Sequence, residues 1–306
     1  ANKNPVLPIS NFWDFSQLVK AVAPSNFITG LLLKSTIFDL LRICGISNNK
    51  RLIKFLNLQL KLYSQEDVYN TAALYGSTIL QMCQKPHGLW HLKNSMQSLS
   101  EALESSLHKT GVNQIFGQKV NTITFDDSNN CWKVFTNSKK SSFVYHAKNL
   151  IYTPPPQSLL EHLKDPLSKK QSYKNRLINL PNPSGAVVFY SALKKEDIKK
   201  IASNHYQFFS QELGSLFVSI SEDGDGRAPK GEVTLIASIF TKTKDWFNLN
   251  KQDYLEKKKY LQKKISLELE HQFDIASEKW LHRELATPLG FEKWTNRPNG
   301  IVGGLG

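Results

Sequence analysis

One stretch of the sequence, residues 86–156, constrains the fold more than any other part of the chain. After a loop around Pro86, its apolar residues recur at three- and four-residue steps, which predicts an amphipathic helix. Ser95 or Ser98 is the expected N-cap of this helix, and Gly111 is the expected stop. The apolar positions are Met96, Leu99, Ala102, Leu103 and Leu107.

Strands are predicted to follow this helix. Residues 112–116 indicate a short strand, and residues 120–125 and 132–135 alternate at period two on either side of a polar turn, as in a hairpin. Residues 147–153 form an apolar run that three consecutive prolines stop, because proline cannot donate to a strand ladder. The stretch therefore predicts a helix, a strand, a hairpin and a last buried strand.

The flanking segments differ in character. Residues 1–85 contain several predicted helices, of which one is expected to begin at Ser25 as its N-cap, the next at Ser47 as its N-cap and another at residues 65–67. The region after residue 156 instead alternates strands with helices. Its strands are predicted at residues 184–190, 205–209, 216–220, 232–240 and near 279–280, with a short helix at 194–201 and a long one at 251–271. Such an order suits an antiparallel or mixed sheet with helices on one face, and hence an α+β (mixed α/β) fold.

Composition excludes several classes of protein. The 306 residues carry a net charge of +13, and no run approaches the roughly 18 uncharged apolar residues of a membrane span. The three cysteines are widely spaced and the histidines are scattered, so we predict no metal site. The sequence also lacks a basic stripe with interleaved aromatic residues, so nucleic acid is not an expected partner.

Lysines cluster at Lys257–Lys259 and at Lys263–Lys264, beside acidic residues on one predicted helix. Two interpretations of this cluster stay open. It is either a solvated helix face or a surface that binds anionic headgroups.

A second open question concerns residues 27–43, which are apolar on more than one helical face. Such a helix is buried in a core, lines a ligand tunnel or lies in a membrane interface. Lys20, Lys34 and Arg42 flank or interrupt this strip with positive charge, as in interfacial helices. We hypothesise that it docks on a membrane, and that binding to acidic liposomes would reveal this.

The order of these segments resembles the FAD-dependent amine-oxidase and phytoene-desaturase superfamily, and most closely the bacterial carotenoid 3',4'-desaturases and carotenoid isomerases. The resemblance covers almost the whole chain. Besides the block at 86–156, it rests on residues 58–65, 215–221, 225–229 and 287–295. It implies an FAD-binding, Rossmann-like domain, incomplete at both ends, and a substrate domain.

The resemblance also implies a division of the chain. Residues 1–85 would be a helical part of the substrate or membrane-docking region, and residues 86–156 part of the FAD-binding domain. Residues 157–290 would form the substrate-binding domain, whose sheet roofs the ligand cleft. Residues 291–306 would return to the FAD-binding domain.

Matching positions suggest contacts with FAD. Glycines let backbone approach the flavin, Val120 matches a strand valine near the adenine, and Thr153 precedes a proline in the turn beside the pyrophosphate. From the residues alone, Val120 is equally a plain strand valine, and Thr153 and Pro154 a strand terminator. The implied cofactor-binding residues are Gly88, Met96, Val120, Thr153, Pro154, Trp294, Gly303 and Gly304.

Two features that the family uses are absent from the sequence. It contains no GxGxxG turn after a first strand, and no C-terminal Gly-Asp segment that leads into a helix. We therefore expect the chain to be an internal fragment of a longer polypeptide, with weakened hold on the cofactor. No catalytic acid or base is apparent.

The implied function is flavin-dependent desaturation of a carotenoid by a cytoplasmic protein that lies peripherally on a membrane. Removing two hydrogens from an unactivated C–C bond needs an electron acceptor that no side chain supplies, whereas a flavin does. A carotenoid cis-trans isomerase of the same fold is an alternative. A non-catalytic module that binds an apolar ligand or a membrane is an alternative from another class.

Overall fold

The computed structural model describes residues 34–82, 94–164, 171–180 and 184–302, together with residues 12, 13, 15, 16, 32 and 92. The chain divides into two compact units, residues 1–90 (with residue 306) and residues 91–305. None of the helices in the described ranges is both long and apolar enough to cross a membrane.

The first unit contains three described helices, α1 (Ile37–Ile43), α2 (Lys50–Tyr63) and α3 (Ala73–Met82). Its small core is built around Ile37, Leu60 and Val68. Helix α1 begins where a capping box forms. The backbone N–H of Asp39 donates to Thr36 Oγ1 at 3.2 Å, and the N–H of Thr36 donates to Asp39 Oδ2 at 2.9 Å.

This arrangement corrects three predictions. One unbroken helix is expected from Ser25, but Thr36 caps a helix that begins at Ile37. Asn49, and not Ser47, caps α2 through its side-chain oxygen. The helix expected from residue 65 begins only at Ala73, after a turn that Asp67 stabilises by accepting from backbone N–H groups.

Only part of the apolar strip at 27–43 lies in the described residues. Within that part, Ile37 and Leu41 are buried, whereas Ile43 is 71% exposed. Membrane docking by this strip therefore stays a prediction.

In the second unit, α4 (Gln97–Lys109) leads to an antiparallel sheet of β1 (Lys119–Asp126), β2 (Cys131–Asn137) and β3 (Ser142–Ala147). The predicted helix and hairpin are confirmed. Gly111 ends the helix region with a φ of +74°, as expected of a glycine stop. Of the two predicted serine caps, Ser95 accepts from the N–H of Gln97 at 3.2 Å just before the helix, whereas Ser98 lies within the first turn.

Two further strand predictions are wrong. Residues 112–116 and 148–153 are not in strands, and Ile151 is 87% exposed. An apolar run becomes a strand only where a neighbour accepts its backbone hydrogen bonds, and no described strand pairs with 148–153. Instead, Pro156 starts the short helix α5 (Pro156–His162), a position at which proline is tolerated.

A five-stranded antiparallel sheet dominates the second unit. Its strands are ordered β5-β6-β7-β4-β8. They are β4 (Ser184–Lys194), β5 (His205–Ser210), β6 (Gly214–Ile220), β7 (Glu232–Lys242) and β8 (His282–Ala286). The helices are α6 (Gln171–Ile178), α7 (Lys244–Phe247), α8 (Lys251–Phe273) and α9 (Pro288–Thr295). The predicted α+β class is confirmed.

Two local predictions in this unit are wrong. The helix expected at 194–201 is only the 3-10 turn Lys195–Asp197, because β4 continues to Lys194 in its pairing with β7. The strand expected near 279–280 begins instead at His282, after the 3-10 turn Ser277–Lys279.

One face of this sheet packs on α8 and forms the core. Alternate residues of the strands, such as Phe189, Val218 and Leu235, meet Ile265 and Leu269 of the helix. Trp246 is fully buried at the edge of this core, and its indole N–H donates to Thr241 Oγ1 at 3.1 Å. The alternation of buried and half-buried residues along these strands thus shows which face of the sheet is covered.

Helix α8 begins at a side-chain cap that we expect to stabilise it measurably. The N–H of Asp253 donates to Asn250 Oδ1 at 2.9 Å. Asn250→Ala should lower the free energy of unfolding by about 1 kcal/mol, measured by urea denaturation. Asn250→Asp keeps the acceptor oxygen and should cost much less. An equal loss in both variants would contradict the capping role.

Candidate functional site

The five-stranded sheet has a second face, opposite to the one that packs on α8. We define this second face by Val188, Tyr190, Phe217, Ile236 and Ser238, which alternate with core residues along β4, β6 and β7. Tyr190 is 38% exposed and the other four are half-buried. Across five strands the sheet is about 20 Å wide. The face is therefore broad, with apolar residues at its centre and polar ones, such as Gln207 and Glu284, on the edge strands β5 and β8.

Strand pairing places these residues in rows. Tyr190 lies opposite Ile236 on β7 and opposite Glu284 on β8. In the next row, Val188 lies opposite Ser238, which in turn lies opposite Phe217. Ser238 therefore puts a small side chain between two larger apolar ones in this row. A flat or rod-shaped apolar molecule could lie along such rows.

Tyr190 is the titratable residue among the five that define this face, and its surroundings raise its pKa. Burial raises the pKa of the phenol, and the neighbouring Glu284 carboxylate raises it further. Tyr190 therefore keeps its proton at neutral pH and can donate a hydrogen bond. Such a phenol positions a ligand and does not take a proton from it.

A polar junction joins the loop at residues 225–227 to the loop that contains Asn94. The loop after β6 carries Asp225, Gly226 and Arg227, and Asn94 lies just before α4. The Asp225 carboxylate accepts from the Glu222 and Arg227 N–H groups, both at 2.9 Å, and from Arg227 Nε at 2.7 Å. A guanidinium NH₂ group of Arg227 also lies 2.5 Å from it.

Asn94 closes this junction from the other side. A Cβ on Gly226, which has a φ of +86°, would lie only 2.7 Å from Asn94 Oδ1. Only glycine combines that backbone conformation with such a close neighbour. The loop that leads to Met96 is therefore held against the Asp225–Arg227 pair.

This junction is largely removed from solvent. The side chains of Asp225 and Arg227 are 8% and 17% exposed. Burial alone would raise the pKa of Asp225, but the bonds from Arg227 and from two backbone N–H groups lower it overall. Asp225 is therefore an ionised, structural carboxylate at neutral pH, and Arg227 is its partner.

Two of the predicted cofactor contacts belong to elements around the small sheet. Met96 is 71% exposed at the start of α4, and Val120 is half-buried in β1, opposite Thr136. Gln118 braces this end of the sheet, because Thr136 Oγ1 and Tyr145 OH both donate to its Oε1, at 2.5 and 2.9 Å.

Thr153 and Pro154 lie on the exposed segment before α5. Helix α5 packs against β1, and its end is fixed there because the N–H of Lys164 donates to the carbonyl of Ile123 at 2.8 Å. The segment with Thr153 and the strand with Val120 are thus joined through α5. No direct contact between these two residues is described, so their shared role at a nucleotide stays a prediction.

The remaining predicted contacts lie at the end of the chain or outside the described residues. Trp294 on α9 is 82% exposed, with Lys293 Nζ 5.8 Å from its ring centre. Gly88, Gly303 and Gly304 fall outside the described residues.

The described residues fit a flavin nucleotide only in part. Val120, Thr153 and the exposed Met96 could contact its apolar and ring surfaces. The sequence has no GxGxxG turn, the feature that binds the pyrophosphate in many dinucleotide-binding proteins. The described part of the chain also contains no cluster of three potential metal-ligating side chains.

Helix α4 carries further exposed apolar surface. Among its residues and its N-cap, Met96, Leu99, Leu103 and Leu107 lie on one stripe, and all are at least 40% exposed. The helix has no buried residue. An apolar stripe of this kind is typical of a surface that another element or partner covers.

Comparison with solved structures supports the fold. A Pyrococcus furiosus protein has a TM-score of 0.60 at 13% identity, covering 89% of this chain and 64% of its own. An oxidoreductase from Methanosarcina mazei has a TM-score of 0.55 at 14% identity, covering 94% of this chain and 66% of its own. The chain thus spans about two thirds of the length of each, and at such identities the likeness concerns the fold alone.

No protein-family model matches the sequence, and no curated protein does either.

Proposed function

We propose that this chain is part of a flavin-dependent oxidoreductase that desaturates a carotenoid. The observation that carries the proposal is the second face of the five-stranded sheet, a broad surface whose centre carries the half-buried apolar residues Val188, Phe217 and Ile236. The resemblance of the sequence to carotenoid desaturases and the fold shared with the Methanosarcina mazei oxidoreductase support it.

The proposed role of the second face is to bind and orient the polyene. Phe217, Ile236 and Val188 would contact the apolar chain, and the small Ser238 side chain would leave room for it between Val188 and Phe217. Each square ångström of apolar surface removed from water contributes about 25 cal/mol. A long hydrocarbon would therefore bind tightly without charged contacts, and its binding would exclude water from the reacting bond.

A bound flavin would supply the acceptor for the hydride that the substrate loses, while the second hydrogen leaves as a proton. Met96, Val120, Thr153, Pro154 and Trp294 are the described residues proposed to face that cofactor. The Asp225–Arg227 pair would hold the loop before Met96 in place. We assign no side chain to the proton transfer.

Two alternatives remain as second candidates. A carotenoid isomerase would use the same sheet face and the same cofactor, without net oxidation of its substrate. A non-catalytic module that binds an apolar ligand would use the same sheet face without a flavin. Flavin absorbance in protein purified after expression of the complete gene would speak against this module.

The test blocks the second face without touching the core. Ser238→Trp places a large ring between Val188 and Phe217, and we expect at least a tenfold loss of desaturated pigment in carotenoid-accumulating cells that express the complete gene. Lys242→Trp is the matched control, because it adds the same ring at the exposed end of the same strand. Full conversion by a folded Ser238→Trp variant would contradict the proposal.

A further inference from the structure

A cationic groove runs along α8, on the flank that faces the segment before and within β8. Its volume is about 640 Å³. Along the helix, the groove-lining residues recur at three- and four-residue steps from Leu255 to Glu270, a distance of about 22 Å. Ser277 and Arg283 line the other wall. The groove is separate from the second face of the sheet, since α8 packs on the opposite face.

The structure sorts the lysines of α8 into two groups. Lys257 and Lys264 have local partners. Lys257 Nζ donates to the carbonyl of Asp245 at 2.8 Å and lies over the Trp246 ring, and Lys264 Nζ lies 2.6 Å from a Glu212 carboxylate oxygen. Lys258, Lys259 and Lys263 line the groove instead, and none forms an ion pair in the described part of the chain.

The charges in the groove are not balanced. Arg283 joins the three groove lysines, so four cations face a single carboxylate, that of Glu270. That carboxylate is already engaged, because Trp280 Nε1 donates to its Oε1 at 2.8 Å. Gln262, Ser266 and Ser277 add neutral hydrogen-bonding groups. Converging cations and neutral donors suit a group with several negative oxygens, of which phosphate is the common biological case.

Apolar side chains border this charge. Leu255 and Leu267 line the groove and are 52% and 49% exposed. Cationic side chains next to exposed leucines are typical of surfaces that contact a lipid interface. A soluble phosphate compound would gain nothing from these leucines. A nucleic acid would call for stacked aromatic residues inside the groove, which its lining lacks.

We propose that this groove binds a phosphate-bearing group, carried by an acidic lipid whose hydrocarbon lies against the bordering leucines. Lys258, Lys259, Lys263 and Arg283 would contact the phosphate oxygens. The proposal assigns headgroup binding to Lys258, Lys259 and Lys263, and a structural role to Lys257 and Lys264. It does not depend on the proposed redox function.

The test measures binding of the full chain to phosphatidylcholine vesicles with and without phosphatidic acid, by co-sedimentation. The variant K258Q/K259Q/K263Q should bind the acidic vesicles about a hundredfold more weakly, since each lysine near an anionic surface contributes roughly a fivefold gain. The control K139Q/K140Q/K148Q removes the same charge from exposed positions around β3 and should change binding much less. Calorimetric titration with inorganic pyrophosphate tests whether the groove binds phosphate groups of a soluble molecule without hydrocarbon.

Each outcome is decisive. Loss of acidic-vesicle binding confined to the groove variant supports the lipid-borne phosphate. Pyrophosphate binding that only the groove variant loses, without vesicle binding, supports the phosphate site with a soluble ligand. Equal losses in the two triple variants, equal binding to neutral vesicles, or no binding of either probe would overturn the proposal. Arg283→Gln, on the other wall, repeats the test with one substitution, and thermal unfolding checks that each variant is folded.

Discussion

Gly300→Ala should destabilise the second unit by about 2–4 kcal/mol, more than most single substitutions. Gly300 has a φ of +59°, where a residue with a Cβ is strained by about 1–2 kcal/mol. The added Cβ would also overlap the backbone carbonyl of Pro288, the first residue of α9. Backbone cannot rotate away as a side chain can, so the turn or the helix must move. Urea denaturation followed by tryptophan fluorescence would measure the loss.

Two glycines in the same unit provide matched controls. Gly231 has a φ of +81° with open space where a Cβ would go, so Gly231→Ala isolates the conformational cost. Gly290 lies within α9 with open space and no positive φ, so Gly290→Ala should be neutral or stabilising by about 0.5–1 kcal/mol. If Gly300→Ala were no worse than Gly231→Ala, the close approach to Pro288 would have no energetic weight.

The elements that the sequence predicts well carry a regular apolar pattern of their own. The β1–β2 hairpin and α8 follow from period-two and helical alternation, and in α8 the buried residues Ile265, Leu269 and Phe273 recur at four-residue steps. The strands β4 and β7 were also predicted, although their pairing spans a longer part of the chain. Their long apolar runs identify strands without any knowledge of the neighbour.

The failures share a physical cause. Residues 148–153 have the composition of a buried strand, but a strand also requires a neighbouring backbone, which composition does not encode. Helix starts were misplaced for a similar reason. Thr36 and Asn49 became caps because local backbone geometry let their side chains reach an N–H three residues on, whereas other serines and threonines that could cap did not.

The candidate site shows the same limit. The strands that form the second face were predicted, but Tyr190, Phe217 and Ser238 became neighbours only through the pairing of β4, β6 and β7. Residues 225–229 contribute to the family resemblance, but the sequence predicts no role for Asp225 or Arg227. The alternation in β4 could have indicated Tyr190 as a residue facing away from the core. Nothing in the sequence indicates that Gly226 packs on Asn94.

Asp225→Ala should be the most damaging single change at the polar junction, with a loss of about 3–5 kcal/mol. The substitution removes the acceptor of two backbone N–H groups and leaves the guanidinium of Arg227, which is 17% exposed, without its carboxylate. Breaking a buried ion pair from one side is costly because the remaining charge stays desolvated. The double variant D225A/R227A should therefore lose less than the sum of the single variants.

Asp223 offers a control two residues away in the same loop. Its carboxylate lies 3.6 Å from Lys195 Nζ, and both side chains are more than a third exposed, so Asp223→Ala should cost less than about 1 kcal/mol.

Measuring the free energy of unfolding as a function of pH tests the charge of Asp225 itself. Because folding lowers the pKa of Asp225 below 3.8, its ionised form stabilises the fold above that pH, and the benefit fades as the pH falls through the lowered value. The difference in stability between the wild type and Asp225→Asn should hold steady from neutral pH to about 5 and shrink below 3.8. A difference that stays constant down to the acid-unfolding range would mean that the carboxylate acts through its shape and hydrogen bonds alone, and not through its charge.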